Sequence, residues 1–253
     1  MGLRSLTEKL SRGVILRRRL PREFGGFTLF VSPEGGLRYW KPTLTHIDPM
    51  IFNVVREFIT STERLWDVGA NVGMFSFTAM GKATSGCCLA FEPDLWLCNL
   101  LRRSSKRNPS VRIDVLPVAV SDKVALAELN IAVRSRSTNF LSQAYGSTQT
   151  GGVRETQLVP TVTLDFMLEN YGAPSFIKID AEGAEHFILR GAEKILREVR
   201  PTILCEVVME NYAEISNKLI ENDYELFDAD FLPERRPAKD DVSNILALPP
   251  KRK

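Results

Sequence analysis

The stretch from Leu65 to Phe77 constrains the fold of this chain more than any other. Leu65 to Val68 has the composition of a short buried strand, and the residues from Met74 onward have the spacing of a helix with one inward face. Gly69 and Gly73 bracket the turn between them, where the backbone bends sharply and a ligand can approach it closely. The first turn of such a helix offers unpaired N–H groups, so the motif predicts a small-molecule site at the carboxyl end of a strand.

The residues inside this turn distinguish between two kinds of ligand. A dinucleotide fingerprint requires G-x-G-x-x-G, and Asn71 stands where its second glycine is required. Asp67 lies two residues before Gly69, and we expect its carboxylate to point into the pocket and to suit a cationic amine or sulfonium. The pattern Asp67-x-Gly69-x-Asn71-x-Gly73 resembles motif I of class I S-adenosylmethionine (SAM) methyltransferases, although a purely structural strand-to-helix turn is the alternative.

A second acidic residue supports the same kind of site. Cys87 to Phe91 is predicted to be the next strand, and it ends in Glu92-Pro93, about 20 residues beyond the glycine turn. An acid at this distance is typical of the group that binds a ribose through its hydroxyls. An acidic residue before a proline-started helix is also common without any ligand, but both features occur here in register.

Length and composition exclude several classes of protein. The 253 residues suffice for one large domain or for a domain with a small appendage, and 44% hydrophobic with 25% charged residues is ordinary for a globular protein. No apolar run approaches 18 residues and the start lacks a signal-peptide core, so we expect a cytoplasmic protein. The net charge of +2 does not indicate nucleic acid as a partner. The four cysteines form no C-x-x-C pair and are expected to be reduced core thiols rather than zinc ligands or disulfides: Cys87, Cys88, Cys98 and Cys205.

Residues 1–63 are predicted to form an appendage ahead of the main domain, which spans residues 64–253. The first 22 residues combine many arginines with apolar residues at helical spacing, which favours a solvated basic helix. A membrane-surface or acidic-partner segment and a leader are the alternatives. Two strands, Phe27 to Val31 and Leu37 to Trp40, and a helix from Asp48 to Phe58 are expected to follow.

From Leu65 onward strands and helices alternate, which predicts a parallel sheet covered on both faces. The alternation is interrupted by an inserted hairpin at residues 123–162, with strands at Ala127 to Val133 and Leu158 to Val162. The connection between them, Arg134 to Gln157, is rich in Ser, Thr and Gly. A loop of this length in a compact domain predicts a mobile lid or a binding loop that selects the acceptor.

An ordered set of motifs resembles the FkbM family of SAM-dependent methyltransferases over about residues 64 to 228. The set consists of Trp66 to Gly73, Ala90 to Pro93, Ala119 to Asp122, Thr163 to Asp165, Ile177 to Glu185, Leu189 to Ala192 and Arg200-Pro201. The resemblance implies an α/β, Rossmann-like sheet of seven mostly parallel strands in the order 3-2-1-4-5-7-6, with strand 7 antiparallel and helices on both faces. It also implies SAM as cofactor and O-methylation of hydroxyls on sugars, polyketides or related metabolites.

Carried over residue by residue, the resemblance implies where the cofactor lies. Asp67, Gly69, Asn71 and Gly73 would surround the methionine part of SAM, Glu92 would hold the ribose, and Ala119 with its apolar neighbours would face the adenine. The full set expected to bind the cofactor is Asp67, Gly69, Ala70, Asn71, Gly73, Ser76, Glu92, Pro93 and Ala119.

The end of the fourth strand carries the candidate catalytic residues. Residues two apart in a strand share a face, so Lys178 and Asp180 are expected to place a cation and a base together at the pocket. Glu182 and, from the next strand, Glu206 are expected to lie beside them. Asp180 could equally cap the following helix, and Lys178 could only neutralise it. A third metal ligand has no evident candidate, so no metal is expected.

His186 is an alternative base, although a surface position is favoured for it. The leading function is a SAM-dependent O-methyltransferase acting on a small-molecule or saccharide-type hydroxyl acceptor. A non-catalytic SAM-fold binding protein and a nicotinamide-dependent oxidoreductase are the alternatives. A homodimer is compatible with the sequence, as is peripheral membrane contact through the basic N-terminus.

Overall fold

The computed structural model describes residues 10–144, 150–240 and 242–250. Its centre is a sheet of seven strands: β3 (Arg64–Val68), β4 (Cys87–Phe91), β5 (Ile113–Leu116), β10 (Phe176–Ile179), β11 (Thr202–Glu206), β12 (Glu225–Asp228) and β13 (Asn244–Leu248). Across the sheet they lie in the order β5-β4-β3-β10-β11-β13-β12.

The five strands from β5 to β11 run parallel, whereas β13 pairs antiparallel with both β11 and β12. The central strand β10 is buried along its whole length, which explains its nearly continuous apolar sequence. The prediction of a Rossmann-like α/β fold is confirmed, and counting β3 as strand 1 gives the order 3-2-1-4-5-7-6.

Helices cover both faces of this sheet. Two hydrophobic clusters lie between the sheet and these helices. One includes Leu65, Phe75 and Phe176, and the other includes Trp66, Ile179 and Ile188. The helices are α1 (Pro49–Phe58), α2 (Met74–Met80), α3 (Leu95–Arg107), α4 (Leu164–Tyr171), α5 (Glu185–Arg190) and α6 (Met209–Ile220), with a π-helical turn at Ile195–Val199. None of the helices in the described part of the chain combines the length and the apolar character that crossing a membrane requires.

The N-terminal segment differs from its prediction. Residues 1–9 lie outside the described residues, but Leu16–Arg19 forms a strand, β1, and not part of a helix. It pairs antiparallel with β2 (Thr28–Val31), so β2 takes its partner from upstream, through a turn that ends in Gly25-Gly26. Leu37–Trp40, predicted to be that partner, is a 3-10 helix.

The inserted segment also forms more structure than expected. β7 (Ala125–Ala132) pairs antiparallel with β9 (Val153–Val162), and β6 (Ala119–Val120) and β8 (Phe140–Leu141) complete a second, four-stranded sheet. Much of the predicted loop is therefore strand or 3-10 helix. Residues 145–149 of the expected lid lie outside the described residues.

Candidate active site

A cavity of about 350 Å³ opens at the carboxyl ends of β3, β4 and β10. This volume falls within the range of small-molecule sites. The cavity has an apolar end at Val118, Ala119 and Val120 and a polar end at Lys178 and Asp180. Its wall includes nine of the twelve predicted site residues, namely Gly69, Ala70, Asn71, Glu92, Pro93, Ala119, Lys178, Asp180 and Glu182.

The turn after β3 is shaped by a close approach of two backbone segments. Gly69 has a φ of 72°, and a Cβ at this position would lie 1.7 Å from the carbonyl oxygen of Asp180. Any side chain here would therefore push the end of β10 away from β3. Asn71 also has a positive φ, 53°, and its backbone N–H donates to Glu92 at 2.7 Å. The Oδ1 atom of Asn71 is buried and has no hydrogen-bond partner among the described residues.

Glu92 is fixed at the end of β4 by two backbone donors. Its second carboxylate oxygen accepts the N–H of Asp94 at 2.9 Å, and the side chain is almost fully buried. Burial, together with the charge of Asp94, raises the pKa of Glu92 to about 8 against these hydrogen bonds. The carboxyl group therefore gains and loses its proton close to neutral pH.

Three residues expected to bind the cofactor do not line the cavity. The Asp67 carboxylate, expected to point into the pocket, turns instead toward the first turn of α2. There its Oδ2 accepts from the backbone N–H and the hydroxyl of Ser76 at 3.1 and 2.5 Å. Asp67 is fully buried, so these donors replace the water that a carboxylate would otherwise need. A Cβ on Gly73 would lie 2.1 Å from Leu101, so this glycine permits the close packing of α2 on α3.

Lys178 and Asp180 lie together at the polar end of the cavity. The ammonium group of Lys178 is 3.1 Å from Asp180 Oδ2 and 3.5 Å from Asp67 Oδ1, and it donates to the carbonyl of Gly69 at 2.9 Å. Burial acts to lower the pKa of Lys178, but the two carboxylates raise it by more, so its net pKa is above the usual value. Lys178 is therefore a fixed cation that cannot take up a proton.

Asp180 does not cap the helix that follows it. The N-cap of α5 is Ala184, and no side chain caps it. About a third of the Asp180 side chain is exposed to the cavity. Burial acts against its charge, but Lys178 and a side-chain hydrogen bond with Glu206 hold its pKa below the usual range. An ionised carboxylate therefore faces the cavity beside a permanent cation.

Two further carboxyl groups lie next to Asp180. The charge of Asp180 and then burial raise the pKa of Glu206, so Glu206 keeps the proton of this pair and donates a hydrogen bond to Asp180. Burial, and then Asp180 and Glu185, raise the pKa of Glu182 to about 8. Glu182 also adopts a strained backbone with a φ of 51°, which is a feature of many functional sites.

Glu185 holds the loop after β10, a role that the sequence did not reveal. Its Oε1 accepts from the backbone N–H groups of Ala181 and Gly183 at 2.9 and 3.1 Å, and its Oε2 accepts from Asn211 at 3.1 Å. These bonds fix the backbone on either side of the strained Glu182. Glu185, the last acid of the Asp-x-Glu-Gly-x-Glu string, thus holds the backbone that carries Asp180 and Glu182.

The N-terminal segment forms one wall of the cavity, which the sequence did not indicate. Tyr39 is buried, and the Arg38 guanidinium forms an ion pair with Asp48 at 3.0 Å; all three residues line the cavity. Asp48 also caps α1, as predicted, by accepting from Ile51 N–H. Only the folded chain brings these residues opposite Asp180, because they lie more than 130 positions away in sequence.

A second set of contacts, which the sequence did not indicate, ties the insertion to the wall of the cavity. Arg136 lines the cavity and donates to Glu34 at 3.0 Å and to Asp94 at 2.5 Å, and its guanidinium lies over the ring of Trp96. Arg154 donates to the same oxygen of Glu34 at 2.8 Å. Because the Glu34 and Asp94 side chains are almost fully buried, these contacts are well shielded from solvent. This part of the insertion is fixed to the body of the protein.

The remaining candidates lie away from the cavity or form no cluster. His186 is buried, not on the surface as expected, and does not line the cavity. No three His, Cys, Asp or Glu side chains within the described ranges are arranged to hold a metal ion. The four cysteines are free; Cys87 is half-buried and the others are buried.

The sequence and the fold are similar to those of known methyltransferases. Residues 67–227 match the model of the methyltransferase FkbM domain. A hexuronic acid methyltransferase from Haloferax volcanii is 21% identical over 191 residues, which cover 75% of this chain and 74% of that protein. The crystal structure of an FkbM methyltransferase from Methylobacillus flagellatus is 18% identical with a TM-score of 0.52. The match covers 78% of this chain and 47% of that one, so the chain spans about half of the solved structure's length. Since the family model matches well over half of the sequence, the chain belongs to the FkbM methyltransferase family.

Proposed function

We propose that this protein is a SAM-dependent O-methyltransferase that transfers a methyl group to a hydroxyl of a small-molecule or saccharide-type acceptor. One observation supports it above the others: an ionised Asp180, held beside Lys178, faces the cavity directly next to the glycine turn after β3. The name of the Haloferax volcanii relative supports a saccharide-type acceptor.

The residues at the sheet side of the cavity suit SAM. The unpartnered Oδ1 of Asn71 can accept a hydrogen bond from the methionine amino group, and Glu92 can accept bonds from the ribose hydroxyls. The apolar Val118, Ala119 and Val120 can contact the adenine. Asp67 and Ser76 would act indirectly, by fixing the turn from behind.

SAM, when bound, supplies a methyl group on a positively charged sulfur, already activated for transfer. The chain then has to orient the acceptor oxygen and remove its proton. We assign both tasks to Asp180, whose carboxylate can accept a hydrogen bond from the acceptor hydroxyl. As the oxygen begins to bond to carbon its proton becomes strongly acidic, so even a carboxylate of lowered pKa can accept it. Lys178 keeps Asp180 ionised, and Glu182 and Glu206 line the cavity beside it.

The test is transfer from SAM carrying a ¹³C-methyl group to a panel of neutral sugars, hexuronates and hydroxylated small molecules. The proposal predicts a ¹³C methyl-ether signal in the NMR spectrum of one acceptor class, with one S-adenosylhomocysteine formed per methyl transferred. A methyl ester, an N-methyl product or transfer to carbon would refute O-methylation of a hydroxyl. SAM binding without turnover on any acceptor would favour a non-catalytic binding protein.

A further inference from the structure

Two segments of the sequence carry basic residues without any acidic ones. Residues 10–22 and 95–112 together contain ten Arg and Lys residues and no Asp or Glu. The whole chain carries only +2, so the remaining residues sum to −8. Such a separation of charge gives a molecule a preferred orientation near a charged surface.

The fold brings these two segments onto one face. In the β1–β2 pair, Arg17 lies opposite Phe30 and Arg19 opposite Thr28, and directly opposed residues share a face of a sheet. The Arg103 guanidinium of α3 lies 4.4 Å from the centre of the Phe30 ring, so Arg103 lies on the same face as Phe30 and Arg17. Lys106 and Arg107 follow Arg103 by three and four positions and thus continue its row along the helix.

The hairpin is firmly attached in this position. The backbone N–H of Phe30 donates to Ser104 Oγ at 2.8 Å, and Asn108 exchanges hydrogen bonds with the backbone of Thr28 on both its N–H and its carbonyl. The strand pair and the helix therefore form one rigid, basic face, defined by Arg17, Arg19, Arg103, Lys106 and Arg107. The five side chains come from elements that are distant in sequence, so their proximity is a property of the fold.

An exposed apolar residue accompanies the charges. Ile15, the residue before β1, is 40% exposed and lies two positions from Arg17. Leu10, a few residues upstream, is 64% exposed. Peripheral membrane proteins combine basic side chains, which attract anionic headgroups, with exposed apolar side chains that enter the interface.

We propose that the basic face docks the protein on a membrane surface that carries anionic lipids. Gly13, three residues before β1, is linked to the wall of the cavity, because its N–H donates to Glu34, which also binds Arg136 of that wall. A docked protein would therefore keep its cavity near the membrane, within reach of an acceptor attached to a lipid. Single-stranded nucleic acid is a poorer fit, because its bases stack on exposed aromatic rings and the ring on this face, Phe30, is covered by Arg103.

The test is co-sedimentation of the full-length protein with phosphatidylcholine vesicles, with and without about 30% phosphatidylserine. A triple variant, Arg17→Ser, Lys106→Ser and Arg107→Ser, removes three charges from the basic face. The matched control, Lys123→Ser, Arg197→Ser and Lys239→Ser, removes three exposed charges from other parts of the surface. Circular dichroism verifies that both variants are folded, and binding is measured without acceptor or turnover.

We expect binding to the anionic vesicles only, at least about tenfold weaker for the basic-face variant and within twofold of the parent for the control. Binding should also decrease steeply with added salt, since headgroup attraction is screened. Equal losses in both variants, no preference for anionic vesicles, or tighter binding to single-stranded RNA than to the vesicles would overturn the proposal. None of these results depends on methyl transfer, so the proposed enzymatic function could fail separately.

Discussion

The substitution Asp180→Asn separates chemistry from structure at the centre of the site. Asn has the same size as Asp but cannot hold the negative charge or accept a proton from an acceptor hydroxyl. Because Ala184 and not Asp180 is the N-cap of α5, no helix cap is lost. Lys178 still donates to the Gly69 carbonyl at 2.9 Å and still lies 3.5 Å from the Asp67 carboxylate, so its positive charge remains compensated.

The expected loss is that of a positioned base, about 100- to 10,000-fold in kcat. This corresponds to about 2.7 to 5.5 kcal/mol of transition-state stabilisation. Part of the loss will be recovered by Glu206. The charge of Asp180 is the main cause of the raised pKa of Glu206, so Glu206 should ionise more readily in the variant. We therefore expect the double variant Asp180→Asn, Glu206→Gln to be slower than the single one.

The assay is steady-state formation of S-adenosylhomocysteine, with SAM affinity and thermal denaturation measured in parallel. We expect SAM affinity within a few-fold of the parent and a similar melting temperature. Asp223→Asn, an exposed residue paired with Arg200, is the matched control and should turn over like the parent. Turnover of Asp180→Asn at the parental rate would refute the assignment of the base.

Three further predictions follow from the carboxyl groups and their partners. Glu92→Gln should weaken SAM binding by about 1–3 kcal/mol. Calorimetry at several pH values should show that the SAM affinity of the parent rises through a pH of about 8, whereas the affinity of the variant does not change with pH. An affinity equal to that of the parent would remove Glu92 from the site. Arg136→Met should raise the pH needed for tight SAM binding, because Asp94 loses its cation beside Glu92, whereas Arg154→Met should not; equal pH profiles would contradict this coupling. The free energy of unfolding should decrease between about pH 4.5 and 8, because folded Glu92 and Glu182 retain protons that the unfolded chain has released; denaturant titrations showing greater stability at pH 8 would contradict the raised pKa values.

The parts of the site that could be predicted from sequence depend on local pattern. A strand followed by Gly69 and Gly73 predicts a turn and a helix, and Lys178 and Asp180 are two positions apart on one strand. The pattern did not indicate the direction of the Asp67 side chain. Its orientation depends on Ser76, which becomes a donor to it only once α2 has formed.

The rest of the site depends on pairing between distant residues. Arg136 meets Glu34 across 102 positions and Asp94 across 42, and no periodicity encodes such contacts. The N-terminal hairpin shows the same limit. Two glycine pairs, Gly25-Gly26 and Gly35-Gly36, offer turn chemistry on either side of β2, and only the tertiary structure selects the first. The arginines of β1 then belong to a strand that packs with α3, although their spacing suggested a helix.

The most direct test of the proposed site is a crystal structure of the protein with S-adenosylhomocysteine bound. We expect the ribose hydroxyls on Glu92, the adenine against Ala119, the amino group on Asn71 and the sulfur on the side of the cavity that holds Asp180. A nucleoside bound against Arg38, or outside the cavity altogether, would contradict the proposed site.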